Sequence, residues 1–360
     1  MEKNGYARLE QQMPTGLARL GFGKRFLILT TLPSLALFLT YIAIRTNIWF
    51  TEGADVLPSK HVVVQESFSW NKLSTKPYLD YSDCYDGFQC ARLELPMDYW
   101  NGTTNATISL AVIRKPATVP VTDPRYGGAV LLNPGGPGGS GVGFALRGGK
   151  QVRETIDSAD GLAYDLISFD PRGVGETLPD ARCVKSPQYD HSWEVRVIEE
   201  GVFESSDASF GRLWAMAVAR SQSCSLPPTD GTPDFKRYLT TASVARDMLE
   251  IVEKHGEWRE KEVVRLLSPG CGRSVKTGST SVTVPENLRY KPGTEGIQYW
   301  GFSYGTYLGN TFAAMFPDRV HRLVVDGVVD AYNYRKSLWS DNLFDTEKDV
   351  SFSTVSLGIP

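Results

Sequence analysis

Five residues, Gly301-Phe302-Ser303-Tyr304-Gly305, read G-x-S-x-G and set a serine between two glycines. That is the pattern of a nucleophile elbow, a tight strand-to-helix turn that presents the serine hydroxyl for attack on a carbonyl. A second stretch, Asn133-Pro134-Gly135-Gly136-Pro137-Gly138-Gly139-Ser140-Gly141, is nearly bare of side chains. Such a backbone can present N–H groups to a developing oxyanion. Pro137 has no N–H, so Gly136 is the natural donor from this loop. The N–H of Tyr304, next after the nucleophile, is the other. A serine nucleophile also needs a base, usually a histidine. The chain has four: His61, His191, His255 and His321.

An elbow requires a strand before it and a helix after it. IQYWGF over 297–302 and the apolar run of 304–315 supply both. Upstream, AVLLN (129–133) and YDLISFD (164–170) are short apolar runs typical of buried parallel strands, and RLVVD (322–326) is another. A helix is expected from about 141 to 156. A second, over 241–255, carries Val244, Met248, Ile251 and Val252 on one face. Strands alternating with helices predict an α/β fold with a mostly parallel sheet flanked by helices. Residues 178–238 read as irregular with helical pieces, and 257–296 as a polar surface insert. No internal repeat is visible.

In such a fold the catalytic groups sit at the C-terminal ends of the parallel strands. His321 opens the strand after the elbow helix and His255 ends the helix that precedes the elbow strand, so both fall at the opposite edge. His61 precedes the core. His191 alone follows a strand on the correct side, but it stands before the serine in an irregular segment. Asp326 ends the strand beside the elbow and could reach the active edge; it also reads as a turn residue of DGVVD. The expectation is that none of the four histidines serves Ser303. A rival reading takes Gly136-x-Gly138-x-x-Gly141 as a dinucleotide-binding turn with Asp170 as its ribose acid. Pro134 and Pro137 remove donors from that turn, and the Ser303 elbow is then unexplained.

Residues 26–44 carry no charge and, at about 1.5 Å per residue, match a hydrocarbon core of about 30 Å. Lys3, Arg8, Arg19, Lys24 and Arg25 precede them, against Glu2 and Glu10. That bias predicts a single-pass signal-anchor with residues 1–25 in the cytoplasm and the bulk of the chain luminal or extracellular. The alternative is a cleaved signal peptide and a secreted protein. Residues 45–80 read as a stalk. Asn101-Gly-Thr and Asn105-Ala-Thr are glycosylation sequons. Of five cysteines, Cys84 and Cys90 are close enough for a local bridge; Cys183 and Cys224 could form a second, leaving Cys271 over, although sequence does not decide connectivity. A net charge of −3 gives no electrostatic reason to expect nucleic acid.

The segments CARLELPMDY, NPGGPGGSG, SFDPRGVGET, TTASVARDM and YWGFSYGTYLGNTFAAMFPDRVHRLVVDGVVD lie over roughly residues 80–345. In order and spacing they resemble the α/β-hydrolase peptidases of the tripeptidyl aminopeptidase and prolyl iminopeptidase type. The resemblance implies an α/β-hydrolase core over 81–345, Ser303 as nucleophile, and Gly136 and Tyr304 framing the oxyanion hole. It implies a peptide substrate shortened from its free N-terminus, without metal or organic cofactor. The family continues into a helical cap, further core strands and then a catalytic Asp and His. The expectation is therefore a C-terminally truncated hydrolase, with a divergent tail over 346–360 and its acid and base not in this chain. A catalytically dead α/β-hydrolase kept as a binding module is the alternative.

Overall fold

The computed structural model describes residues 68–338, apart from 103, 158–160, 182, 184–185, 228–232 and 269–282. The expected anchor at 26–44 lies outside them, as do His61 and Cys271. No helix among the described residues is long and apolar enough to cross a membrane.

The described strands form one mixed sheet. In chain order they are β1 (Thr75–Lys76), β2 (Ser82–Asp83), β3 (Gln89–Pro96), β4 (Thr107–Lys115), β5 (Tyr126–Asn133), β6 (Ala163–Phe169), β7 (Ile297–Phe302) and β8 (Val320–Asp326). Their spatial order is β1-β3-β4-β6-β5-β7-β8, with β2 beside β3. The run β6-β5-β7-β8 is parallel, whereas β4 pairs antiparallel with both β3 and β6. Helices make the parallel crossovers: α1 (Gly141–Asp157) joins β5 to β6, and α5 (Tyr304–Met315) joins β7 to β8. Between β6 and β7 come α2 (Pro187–Glu200), α3 (Ser209–Ser225) and α4 (Thr241–Leu267); α6 (Ala331–Lys336) follows β8.

Side chains of a strand alternate between its two faces, and here both faces are covered. On β5, Leu131 packs with Val244, Met248 and Ile251 of α4 and Leu308 and Phe312 of α5. Val130 and Leu132 pack on the other face with Val152 of α1. On β6, Ile167 and Phe169 join the first core, Tyr164 and Leu166 the second. That two-sided burial is why these strands read as unbroken apolar runs. Edge strand β8 is only partly covered, with Val324 50% exposed.

Two boundaries differ from those read in the sequence. Residues 68–80, assigned to a stalk, belong to the domain: β1 pairs with β3, and Trp70 and Leu79 are buried. Helix α4 runs to Leu267, well beyond 255 and into the stretch read as polar insert. The charged residues that hid its period pair along the helix, Lys254 with Glu257 and Arg265 with Glu262, while Val263 is fully buried with Val121 and Val284. The helical pieces read within 178–238 are two full helices, α2 and α3.

Candidate active site

Ser303 is the one residue between β7 and α5. Its φ of 54° and ψ of −122° put a residue with a side chain in backbone territory that usually belongs to glycine. Three contacts impose the turn. The Ser303 N–H donates to the Asp326 carbonyl at 2.9 Å, and the Ser303 carbonyl accepts from the Thr306 N–H at 2.8 Å and the Thr306 hydroxyl at 2.7 Å. Thr306 Oγ1 in turn accepts from the Val329 N–H at 3.0 Å, so the loop after β8 is sewn to the elbow. Gly301 allows strand and helix to close: a Cβ there would stand 2.5 Å from the Gly305 carbonyl. The Ser303 side chain is exposed, and its hydroxyl has no hydrogen-bond partner among the described residues.

The glycine loop lies against this turn. A Cβ on Gly135, whose φ is +91°, would meet the Phe302 carbonyl at 2.3 Å, Tyr304 N at 3.0 Å and Ser303 Cβ at 3.1 Å. Asn133 Oδ1 accepts the Gly135 N–H at 2.9 Å, and the Gly135 carbonyl accepts the Gly139 N–H at 3.2 Å, closing a turn around Gly136. No acceptor among the described residues takes the Gly136 N–H. Tyr304 heads α5, where the first N–H groups of a helix have no intrahelical acceptor. The loop and the elbow thus bring the two candidate oxyanion donors to the same edge as an exposed serine hydroxyl. That arrangement suits acyl transfer, in which negative charge develops on a carbonyl oxygen.

The described histidines lie elsewhere. His321 is the second residue of β8, five residues and about 16 Å along the strand from Asp326 at the elbow edge. His255 is buried on α4, its Nε2 3.4 Å from Asp165 Oδ2 near the start of β6. Asp165 also accepts from Arg114 at 2.8 Å, Tyr126 at 2.8 Å and the Ala117 N–H at 2.8 Å. Burial alone would raise the Asp165 carboxyl; hydrogen bonds and charge from His255 and Arg114 outweigh it and hold it well below the usual range. Burial lowers the His255 pKa against the pull of Asp165, so the imidazole is neutral near pH 7. This network braces the far edge of the sheet. His191 sits exposed on α2.

Asp170 is not available as a ribose acid. It is fully buried, and its carboxylate accepts from the Ser140 hydroxyl at 2.7 Å, the Val142 N–H at 3.0 Å and the Glu176 N–H at 2.8 Å. Asp326 stands at the elbow edge with an exposed side chain. Among the described residues no three His, Cys, Asp or Glu side chains converge as a metal site.

One structural pair went unnoticed in the sequence. Arg172, in the loop after β6, forks onto Asp247 of α4 at 2.6 and 2.8 Å, and both side chains are fully buried. Arg172 also donates to the carbonyls of Pro96 and Met97, at 2.8 and 2.6 Å, and Tyr99 donates to Asp247 at 2.7 Å. Both cysteine pairs are bridged, Cys84 to Cys90 and Cys183 to Cys224. Asn101 and Asn105 are exposed.

No family model matches the chain. Tripeptidyl aminopeptidase of Streptomyces coelicolor is 29% identical over 280 residues, covering 76% of this chain and 41% of that protein. Serine protease Hip1 of Mycobacterium tuberculosis is 29% identical over 247 residues, 68% of this chain and 36% of that protein. Carboxylesterase B of the same organism is 34% identical over 199 residues, 54% and 34% respectively. The chain therefore spans about two fifths or less of the length of these curated relatives. Among solved structures, a probable hydrolytic enzyme from Pseudomonas aeruginosa aligns with a TM-score of 0.29 at 12% identity, over 69% of this chain and 42% of that one, an overlap too loose to carry an argument.

Proposed function

We propose that this chain, an α/β-hydrolase peptidase relative in its sheet, its elbow and its sequence kin, carries the nucleophile and oxyanion hole of a serine hydrolase that acts on peptides at their free N-termini. One observation supports this above the rest. Ser303 is held, exposed, in a conformation that three separate hydrogen bonds enforce, beside a glycine loop with an unengaged N–H. Backbone strain of about 1–3 kcal/mol persists only where the surroundings over-determine it, and such positions cluster at active sites.

In the proposed reaction Ser303 Oγ attacks the substrate carbonyl carbon. The oxyanion is received by the N–H groups of Tyr304 and Gly136. Collapse breaks the C–N bond, the amine leaves with a proton, and the acyl-enzyme on Ser303 is hydrolysed by water. The described residues supply no histidine for the proton transfers, so the base and its acid come from outside them. A fluorophosphonate probe tests the reading: the expected result is slow labelling confined to Ser303 and absent in Ser303→Ala. A second reading, a binding module without turnover, is favoured by the Ser303 hydroxyl's lack of a partner. A folded chain that never labels would support it.

An exported, membrane-anchored placement belongs to the same proposal. Two disulfides suit an oxidising compartment, and the sequon asparagines Asn101 and Asn105 are exposed to a transferase. Glycosidase digestion of membrane fractions should shift the protein's mobility; a soluble, unshifted chain would exclude the placement.

A further inference from the structure

We propose that Asp170 is the positioning residue of the oxyanion loop, the group that fixes where the Gly136 N–H points. This rests on the serine hydrolase reading and adds to it a residue that never touches substrate. Asp170 follows β6 directly, and its own backbone is tied down on both sides. Its N–H donates to the Ala111 carbonyl of β4 at 3.0 Å, and its carbonyl accepts from the Thr177 hydroxyl at 2.6 Å. The carboxylate, fully buried, therefore has one place to be.

From there it holds two chain segments at once. Oδ1 accepts from the hydroxyl of Ser140, the last loop residue before α1, and from the N–H of Val142, the second residue of α1. Oδ2 accepts from the Glu176 N–H, six residues further along the loop after β6. Ser140 Oγ is itself the acceptor of the Gly143 N–H at 2.9 Å, so the hydroxyl passes the constraint into the helix. The glycine loop is thus pinned at its entrance by Asn133 and Gly135 against the elbow, and at its exit by Asp170. Gly136 hangs between, with no bond of its own among the described residues. A donor with no partner of its own is aimed only by its neighbours, and oxyanion stabilisation depends on aim.

The surroundings are shaped for a carboxylate of this length. A Cβ on Gly175 would stand 2.1 Å from Asp170 Oδ2, and one on Gly141 would stand 2.0 Å from the Phe169 carbonyl. Both chains approach as closely as glycine allows, leaving no room for the extra methylene of glutamate. Asparagine fits but is chemically mismatched, because its amide would face an N–H or hydroxyl that needs an acceptor.

The test uses the full chain with Asp170→Asn and the milder Ser140→Ala. Fluorophosphonate labelling of Ser303 forms the Oγ–P bond and expels fluoride, the hydroxyl proton passing to solvent, through a phosphorus centre whose oxygen occupies the oxyanion hole. Asp170→Asn should lower the maximal labelling rate by roughly tenfold to a hundredfold, against the roughly 10²–10³ lost with an oxyanion donor itself. The half-saturating probe concentration should stay the same, and Ser140→Ala should fall between. Hydrogen exchange should show faster exchange at the Gly139, Val142 and Gly143 amides with the α4 and β5 amides unchanged. Unaltered labelling in Asp170→Asn would overturn the proposal. So would a uniform rise in exchange across the domain, which would mark Asp170 as a general stabiliser. If the wild type is not labelled at all, the serine hydrolase reading falls, and unchanged exchange at those three amides would separately show that Asp170 does not fasten the loop.

Discussion

The backbone of Asp326, the last residue of β8, fixes the backbone of Ser303: the Asp326 carbonyl accepts the Ser303 N–H at 2.9 Å. The bond crosses from one strand end to the next and turns a flexible glycine-flanked corner into a rigid one. Ser303 is held by its neighbours in a conformation it would not choose.

Relieving that conformation should stabilise the domain while removing its chemistry. Ser303→Gly is expected to raise unfolding free energy by about 1 kcal/mol, since glycine tolerates this backbone and serine does not. Ser303→Ala should give no such gain, because alanine keeps the Cβ. Chemical denaturation of the two variants beside the wild type decides it; equal stability of both would contradict the strain.

Thr306 ties the elbow to the loop after β8 through two bonds from one hydroxyl. Thr306→Val preserves the volume of this fully buried side chain and leaves the Val329 N–H without its partner. A loss of about 1–3 kcal/mol is expected, together with slower probe labelling of Ser303. Thermal melts and labelling rates measured on one preparation should move together.

The Arg172–Asp247 pair joins the loop after β6 to α4 with no solvent near either side chain. Removing one partner leaves a buried charge unmatched. Asp247→Ala should therefore cost about 3–5 kcal/mol, and restoring neutrality with Arg172→Met in the same chain should recover part of it. A double variant no more stable than the single one would show that the carbonyl contacts of Arg172 matter more than the ion pair.

Stability should fall on mild acidification because of His255. Burial holds its folded pKa below the ordinary histidine value of about 6.5. Below that pH the unfolded chain takes up a proton that the folded chain refuses, so folding is progressively opposed as pH drops from about 6.5 toward the folded value. The slope from one group is at most about 1.4 kcal/mol per pH unit. Asp165, with its pKa held down, contributes in the same direction, but only as pH falls through the carboxylate range below 3.8. Melts of the wild type and His255→Gln between about pH 7.5 and about pH 5 should differ in steepness; parallel curves would refute the assignment.

The serine turn was legible in the sequence because its causes are local. An apolar strand, two glycines about one serine and a helical run lie within twenty residues, and steric rules for consecutive residues decide the rest. The glycine loop was legible for the same reason, as were the parallel strands, whose two-sided burial writes an unbroken apolar run. The length of α4 was not, since its second half is stabilised by charge pairs and by burial of Val263 beneath Val121 and Val284, residues distant in the chain. Nor was the use made of Asp170, whose carboxylate is engaged by Ser140 and by Glu176, 30 and 6 residues away in the chain. Arg172 and Asp247 stand 75 residues apart. A carboxylate's partners are chosen by which backbone the fold delivers within 3 Å, and a distance of that kind exists only once β6, α1 and α4 have packed.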